Sequence, residues 1–439
     1  MTLTWGLLGP GKLASERRTR TLGLAASVRL FNDLAVPGVG GVWFGKQLFL
    51  ATLGVRVAQH ARERRRDATN IETANAIEAL ACKLTFDGNK WARDPRMRGR
   101  EKLQGRRDLA FKTMRQRGFY VTQPMRMATV QGLPALGLAE ADSVRFNAFA
   151  CTQAGQDFLD AACADFAPYN HGVIDHLVQW ACGTEHRVES ETLRAALSPL
   201  TPLPMRARAL LMERLIQGGA SEPAQDKQRR RDALAWVESL RTAHNPSPSW
   251  TLRPPQIGDD RHWEDLKAGA LFLSARDAAI EVLDALEAHI GNQAEGKRFS
   301  LQASIPDTVT LRLAALKHAA DAFLSVRHAD KDANVFCGEC SSVDRISVLK
   351  KLVARDDRVL RLRAQEIVPG PAAFRGAQQQ TQEPDEDADV GEGVPVAAGG
   401  VSWPAGISFR VRNLFLLNAD LRGELDSWLD NTSTAQDSQ

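Results

Sequence analysis

Between residues 105 and 164, the apolar residues change their spacing at each point where a new secondary-structure element is expected to begin. The segment starts with a basic helix whose apolar residues are Leu109, Met114 and Phe119. Thr122 and Pro124 give a start signal for a second helix, because a hydroxyl can cap free amides and a first helical turn tolerates proline. That second helix has one apolar stripe, formed by Met127, Val130 and Leu133. The pattern predicts two helices separated by a turn.

A short hairpin and a third helix are expected directly after these two helices. Gly137 can end the second helix in a left-handed conformation. The predicted hairpin has a first strand at 138–140, a turn at 141–143 and a return strand at 144–150. Thr152 is expected to cap the closing helix. The buried residues of the return strand and this helix are expected to be Phe146, Phe149, Phe158 and Leu159.

This order of elements resembles the winged-helix superfamily over residues 105–164, particularly in the stretch ALGLAEADSVRFNAFACTQAGQDFL at 135–159. The resemblance implies a recognition helix at about residues 123–136, with Arg145 near the wing. Gly132 and Pro134 lie late in that helix and predict that it is short or kinked.

The expected outward face of the recognition helix is poor in residues that read DNA bases. With the apolar stripe inward, this face holds Met125, Ala128, Thr129, Gln131 and Gly132, with Arg126 at its flank. Direct readout in the major groove usually needs the forked contacts of Arg, Asn or Gln, which only Gln131, Arg126 or Gln123 could supply. We therefore expect weak sequence specificity, or docking of another protein.

Basic side chains are concentrated ahead of and within the same segment. Residues 93–117 contain ten Lys or Arg and three Asp or Glu, a local charge of +7. The first 150 residues carry +13 and the remainder −10, although the whole chain carries only +3. Such a cluster can follow the phosphates of DNA and supply affinity without sequence information. The alternative is a solvated basic loop without a ligand.

The predicted DNA contacts come from the basic segment, the recognition helix and the wing. They are Arg96, Arg98, Arg100, Lys102, Arg106, Arg107, Lys112, Arg115, Arg117, Gln123, Arg126, Thr129, Gln131 and Arg145.

The chain is expected to be mainly α and multi-domain, with a winged helix-turn-helix containing a small β-hairpin, and a helical bundle domain. A capping box at Thr69 and Glu72 starts a helix over 69–84. Further helical periods cover 173–180, 192–197, 207–216, 231–240, 271–290, 308–326 and 343–362. Alternating apolar residues at 407–411 predict a strand, followed by a short helix at 420–429.

The predicted division of the chain follows these patterns and the changes of composition between them. The regions are an N-terminal helical region at 1–92, the basic segment and winged helix at 93–167, a helical region at 168–242, a Pro-rich linker at 243–263, a helical domain at 264–368, a disordered acidic linker at 369–401 and a C-terminal strand-helix element at 402–430.

No motif specifies a reaction or a cofactor, so we predict a protein that is not an enzyme. The segment GLLGPGK at 6–12 has phosphate-loop spacing, but Leu13 stands where a Ser or Thr should bind magnesium. Cys337 and Cys340 could form half of a zinc site, yet a second ligand pair is missing; a redox pair and two ordinary thiols are the alternatives.

The six dispersed cysteines and the lack of an apolar stretch long enough to span a bilayer predict a cytoplasmic protein without membrane contact. The leading hypothesis is a non-enzymatic DNA-binding protein. The alternative is a structural subunit of a multiprotein complex, whose winged helix docks protein and whose residues 402–430 bind a partner. The layout is similar to that of kleisin-type bridging subunits in chromosome-organising or phage and plasmid defence complexes. The sequence leaves the oligomeric state open.

Overall fold

The computed structural model describes residue 20 and residues 22–293, 296–374 and 400–430. The segment GLLGPGK and residues 375–399 of the predicted acidic linker lie outside this part of the chain. Two compact units divide the chain: unit 2 contains residues 30–269 and 386–439, and unit 1 contains residues 1–29 and 270–385. In the described ranges, no helix combines the length and apolarity that crossing a bilayer requires.

The described residues are mainly helical, as predicted. The α-helices are α1 (Ala25–Ala35), α2 (Gly45–Glu63), α3 (Asn70–Gly88), α4 (Arg100–Leu103), α5 (Phe111–Met114), α6 (Gly132–Ala135), α7 (Gln153–Cys163), α8 (Val173–Cys182), α9 (Glu191–Leu197), α10 (Met205–Gln217), α11 (Ala224–Thr242), α12 (Asp260–Gly291), α13 (Asp307–Ser325), α14 (Lys331–Cys340), α15 (Arg345–Asp356), α16 (Phe409–Arg422) and α17 (Leu425–Asp430). The strands are β1 (Ala139–Glu140), β2 (Ala150–Cys151), β3 (Phe299–Ser300), β4 (Leu360–Arg363) and β5 (Glu366–Pro369).

Helix α2 forms the centre of unit 2. It is buried on nearly all sides and contacts α3, α7, α8 and α16. A helix that is apolar all round suits such a position, because every face needs an apolar partner. At its crossing with α3, a Cβ added to Gly54 would lie 2.5 Å from the Cα of Ala74. Gly54 therefore permits the close packing of α2 against α3.

The predicted strand at 407–411 is wrong. Helix α16 begins at Phe409, after Ser408 accepts a hydrogen bond from the amide of Arg410. The helix is enclosed by α10, α11 and α2, and Leu414 through Leu417 are fully buried. Because Arg410 and Asn413 are buried together with the apolar residues, no polar face marks the helical period, and the short alternation at 407–411 was mistaken for a strand. Because α16 belongs to the core of unit 2, it offers no apolar face to a protein partner.

Unit 1 combines the predicted helical block with a small antiparallel sheet that sequence reasoning missed. Phe272 on α12 packs against Phe323 and Phe336, with ring centroids 5.8 and 6.3 Å apart. The strand order is β3-β5-β4. The helix predicted over 343–362 ends at Asp356, and Asp357 adopts a left-handed conformation before β4. This reversal lets Leu360 enter the sheet rather than continue the helix.

All six cysteines are free thiols. Cys337 and Cys340 are buried on α14, and burial raises the pKa of each thiol to about 12. Both side chains therefore stay protonated at neutral pH. Within the described ranges, no group of three or more His, Cys, Asp or Glu side chains is placed to hold a metal ion.

Two predicted helix starts are confirmed, and one of them ties a helix to the hairpin. Thr69 and Glu72 form the reciprocal capping box of α3. The Thr152 hydroxyl accepts a hydrogen bond from the amide of Gly155 (3.1 Å) and donates one to the carbonyl of Gly137 (2.6 Å). Thr152 thus caps α7 and joins it to the chain that enters β1.

Thr152→Ala is expected to lower the free energy of unfolding by about 1 kcal/mol, because it removes an N-cap. Thr152→Ser keeps the hydroxyl and is expected to remain near the wild type. Urea-induced unfolding of the three proteins measures the difference. An unchanged midpoint for the alanine variant would show that this cap contributes nothing to stability.

Candidate nucleic-acid interface

The basic segment folds mainly as loops along α3 rather than as one long basic helix. Only α4 and the single turn of α5 are helical, so the basic helix predicted around Leu109, Met114 and Phe119 is reduced to Phe111–Met114. Gly105 and Gly118 adopt φ values of +76° and +77°, which interrupt a right-handed helix on either side of α5. The Asp108 carboxylate accepts hydrogen bonds from the Thr113 hydroxyl (2.6 Å) and the Ala110 amide (3.0 Å), which lower its pKa.

Five of the predicted DNA-contacting arginines are bound within the protein. Arg96 forms ion pairs with Asp94 and Asp426, each at 2.8 Å, and Arg115 pairs with Glu72 at 3.0 Å. The remaining bonds run from Arg98 to the carbonyl of Gln123 (2.6 Å), from Arg100 to the carbonyl of Trp91 (2.8 Å) and from Arg126 to Asn75 Oδ1 (2.6 Å). These bonds attach the loops to the rest of unit 2, and a contact of these five arginines with DNA stays a prediction.

The other basic residues of the predicted set are exposed. They are Lys102, Arg106, Arg107, Lys112, Arg117 and Arg145. The Arg106 guanidinium lies 5.5 Å from the ring centroid of Phe119, a cation–π contact at an exposed position. Gln131 is exposed as well, and Gln123 is half-buried.

The predicted recognition helix at 123–136 is broken into a 3₁₀ helix, Met125–Thr129, and α6. This break fits the kink predicted from Gly132 and Pro134. The predicted outward face is wrong, because Met125, Ala128, Thr129 and Gly132 are buried. A 3₁₀ helix has three residues per turn rather than 3.6, so the faces derived from an α-helix do not apply. Thr129 is fully buried and donates a hydrogen bond to the carbonyl of Arg126 (2.7 Å), which removes it from the candidate contacts.

Glu78 on α3 fixes the start of this 3₁₀ helix. Its carboxylate accepts hydrogen bonds from the amides of Met125 (2.6 Å) and Arg126 (3.1 Å). Burial raises the pKa of Glu78, and the two amides and the charge of Arg98 oppose the rise. The segment is therefore attached to α3 through a buried polar contact.

The predicted hairpin is present but short. Strands β1 and β2 pair antiparallel, with Ala139 opposite Cys151 and Glu140 opposite Ala150. The predicted return strand at 144–150 contains a 3₁₀ turn, Phe146–Ala148, and only its end is extended. The side-chain amide of Asn70 donates hydrogen bonds to the carbonyls of Phe146 (3.0 Å) and Phe149 (2.8 Å). The loop is thereby docked on the first turn of α3, while Val144 and Arg145 are exposed.

A second basic segment, missed from the sequence, lies beside the first. Arg64, Arg65 and Arg66 follow the end of α2 and are exposed in the loop that leads to α3. Arg62 closes this loop by donating hydrogen bonds to the carbonyl of Ala68 (2.9 Å) and to Asn70 Oδ1 (3.0 Å). The run RERRR at 62–66 was visible in the sequence. The sequence alone does not show that this run belongs to the candidate site. The fold places it next to residues that lie almost 50 positions later in the chain.

The two basic segments meet at a groove with a volume of about 750 Å³. Charged residues of the rim are Arg66, Asp67, Glu72, Lys112, Arg115 and Arg117. The other lining residues are Ala110, Phe111, Gln116, Trp180, Ala181, Cys182, Gly183 and His186. Four cations against two carboxylates give these six residues of the rim a charge of +2.

The exposed basic residues of the two segments extend beyond the groove. We call the following set the basic surface: Arg64, Arg65, Arg66, Lys102, Arg106, Arg107, Lys112 and Arg117.

Comparisons of this chain with models of protein families, with curated proteins and with solved structures found no match.

Proposed function

We propose that this chain is a cytoplasmic, non-enzymatic DNA-binding protein that holds the phosphate backbone on its basic surface. The observation that carries the proposal is that Arg66 of one basic segment and Lys112 and Arg117 of the other line one groove, while the remaining residues of the basic surface are exposed. Throughout the described part of the chain, no carboxylate forms an ion pair with Arg64, Arg65, Arg66, Lys102, Arg106, Arg107 or Lys112. Charges that are not neutralised internally can displace the counterions of DNA, which gives affinity that depends on salt.

Weak sequence specificity is part of the proposal. Of the side chains predicted to read bases, Gln131 is exposed, whereas Arg126 is bonded to Asn75 and Gln123 is half-buried. Phosphate contacts position a protein on DNA without selecting a sequence. The expected binding mode is therefore similar for DNA molecules of different sequence.

The resemblance to the winged-helix superfamily remains a proposal, and it concerns which elements of the protein contact the DNA. The paired β1 and β2 and the capped α7 support it, and the short helices ahead of the hairpin depart from it. In this arrangement Val144 and Arg145 would contact the minor groove beside the site where the basic surface meets phosphates. A bridging role would need a surface other than α16, because that helix is enclosed in the core.

Arg106→Gln combined with Arg107→Gln is expected to weaken binding to duplex DNA about equally for different sequences. Log affinity falls as log salt concentration rises, and each lost phosphate contact makes this slope less negative by about 1, so we expect a slope less negative than that of the wild type by about 2. Titrations followed by fluorescence anisotropy at several salt concentrations measure this slope.

The matched control removes two exposed arginines from helices that contribute no residue to the basic surface, Arg206→Gln on α10 and Arg231→Gln on α11. It changes the net charge by the same amount, and we expect the slope of the wild type. Equal slopes for the two double variants, or wild-type protein that does not bind DNA, would refute the proposed function.

A further inference from the structure

The groove differs from the rest of the basic surface because it is a concave site with an apolar floor. Its volume of about 750 Å³ lies within the range of small-molecule pockets, which is about 300–1,000 Å³. An extended row of phosphates needs only exposed cations and no such cavity. We therefore expect a ligand that has a group able to enter the groove.

The floor is rigid and already satisfied in its hydrogen bonds. The indole N–H of Trp180 donates to the carbonyl of Leu109 (2.9 Å). Trp180 and Phe111 pack edge to face, with ring centroids 5.1 Å apart and an interplanar angle of 77°. Ala181 and Cys182 extend this apolar floor at the end of α8. A flat apolar group can pack there without leaving a buried donor unpaired.

The rim offers cations on both sides of this floor. Lys112 and Arg117 lie on the α5 side, and Arg66 lies on the loop between α2 and α3. Glu72 and the carbonyl of Asp67 hold Arg115 between them, at 3.0 and 2.6 Å. The guanidinium plane of Arg115 is thus fixed in the groove wall, where such planes can stack on bases.

We propose that the groove binds one unpaired nucleotide of single-stranded DNA, with its base on the floor and its phosphate at the cationic rim. A paired base cannot reach the floor, since it is held in the stack of the duplex. Single-stranded sites commonly combine a cationic path for the backbone with apolar or aromatic surfaces for the bases. The inference rests on the proposed function but adds a preference for unpaired DNA.

Gln116→Glu tests this assignment, because Gln116 is exposed and lines the groove. Gln104→Glu is the matched control: Gln104 is exposed in the same basic segment and does not line the groove. Both variants add one negative charge to the segment. The probes are a short oligodeoxythymidine and a blunt duplex with the same number of phosphates, and anisotropy measures their affinities.

Gln116→Glu is expected to weaken oligodeoxythymidine binding about tenfold more than Gln104→Glu, because its carboxylate repels the bound phosphate at short range. The two variants are expected to bind the duplex equally. Thymidine 5′-monophosphate should compete for the oligonucleotide more strongly than inorganic phosphate. Equal effects of the two variants on the oligonucleotide, or equal competition by the two small molecules, would overturn the nucleotide site.

The outcomes separate this inference from the proposed function. Salt-dependent duplex binding together with equal effects of the two variants would leave the proposed function standing without the nucleotide site. A protein that binds oligodeoxythymidine in the predicted Gln116-dependent manner, but no duplex, would retain the site and refute phosphate-backbone binding of duplex DNA.

Discussion

Glu222→Ala is expected to lower the free energy of unfolding of unit 2 by about 3–5 kcal/mol, because it leaves a buried charge without its partner. Arg230 on α11 is fully buried. Its guanidinium forms a two-pronged ion pair with Glu222, in which Nη2 lies 2.7 Å from Oε2. Nε of Arg230 also donates a hydrogen bond to the carbonyl of Leu215 (2.8 Å).

The control is an exposed ion pair of the same type. Glu191 pairs with Arg194 at 3.0 Å, and the Glu191 side chain is 87% exposed. Glu191→Ala is expected to cost less than about 1 kcal/mol, since solvent screens exposed pairs. Urea-induced unfolding of both variants gives the comparison. A loss for Glu222→Ala as small as that for Glu191→Ala would show that the buried pair does not stabilise unit 2.

A second variant separates the charge from the packing. Replacing both partners, Arg230→Met with Glu222→Leu, removes the charges together and is expected to be more stable than Glu222→Ala alone. A double variant that is less stable than Glu222→Ala would indicate that the bonds of Arg230 to backbone carbonyls matter more than its charge. The measurement is the same urea titration.

Features that depend on neighbouring residues could be predicted from the sequence. The Thr69–Glu72 capping box and the cap at Thr152 are local patterns, and both are confirmed; a hairpin is present as predicted, but β1 pairs with β2 across a loop much longer than the predicted turn at 141–143. The first buried residues of the closing helix, Phe158 and Leu159, are confirmed as well. In each case the residues that determine the structure lie within about a dozen positions of one another.

Features that depend on distant packing could not be predicted in this way. Helix α16 is surrounded by other helices, and Arg410, Asn413 and Asn418 are buried along with its apolar residues, so its sequence shows no clear period. The 3₁₀ helix Met125–Thr129 starts where Glu78, almost 50 residues earlier, accepts its first amides. Neither contact can be predicted from the preferences of neighbouring residues. For this reason the strand predicted at 407–411 and the outward face predicted for residues 123–136 are both wrong.

The candidate site likewise has local features that the sequence predicts and other features that depend on distant packing. Counting charges along the sequence identified a segment rich in Lys and Arg, but it could not distinguish an arginine bound within the protein from one that faces solvent. Arg96 forms an ion pair with Asp426, which lies more than 300 residues later in the chain. Arg115 forms an ion pair with Glu72 across the groove. The sequence contained the run at 62–66, yet only the antiparallel packing of α2 and α3 places it beside residues 112–117. A three-dimensional surface, rather than a linear segment, therefore defines the site.

A buried lysine gives unit 2 a stability that depends on pH. Lys46 in the first turn of α2 is 2% exposed, and its Nζ donates a hydrogen bond to the carbonyl of Ala196 at 2.5 Å. Burial lowers the pKa of Lys46 to about 8 from its ordinary value of 10.5. Of the titratable neighbours that act on it, Cys163 has a pKa raised to about 12 by burial, and burial also raises the pKa of Asp420.

Wild-type protein is expected to gain about 3 kcal/mol of stability relative to Lys46→Met between pH 7 and pH 10.5. Below pH 8 the lysine is protonated in both states, and the folded state bears the full cost of a buried charge. Between the two pKa values the unfolded chain binds more protons than the folded protein, so stability rises with pH. Urea-induced unfolding of both proteins across this range measures the difference, in which the shared titrations of other groups cancel. A difference that does not change with pH would mean that Lys46 keeps its ordinary pKa in the folded protein.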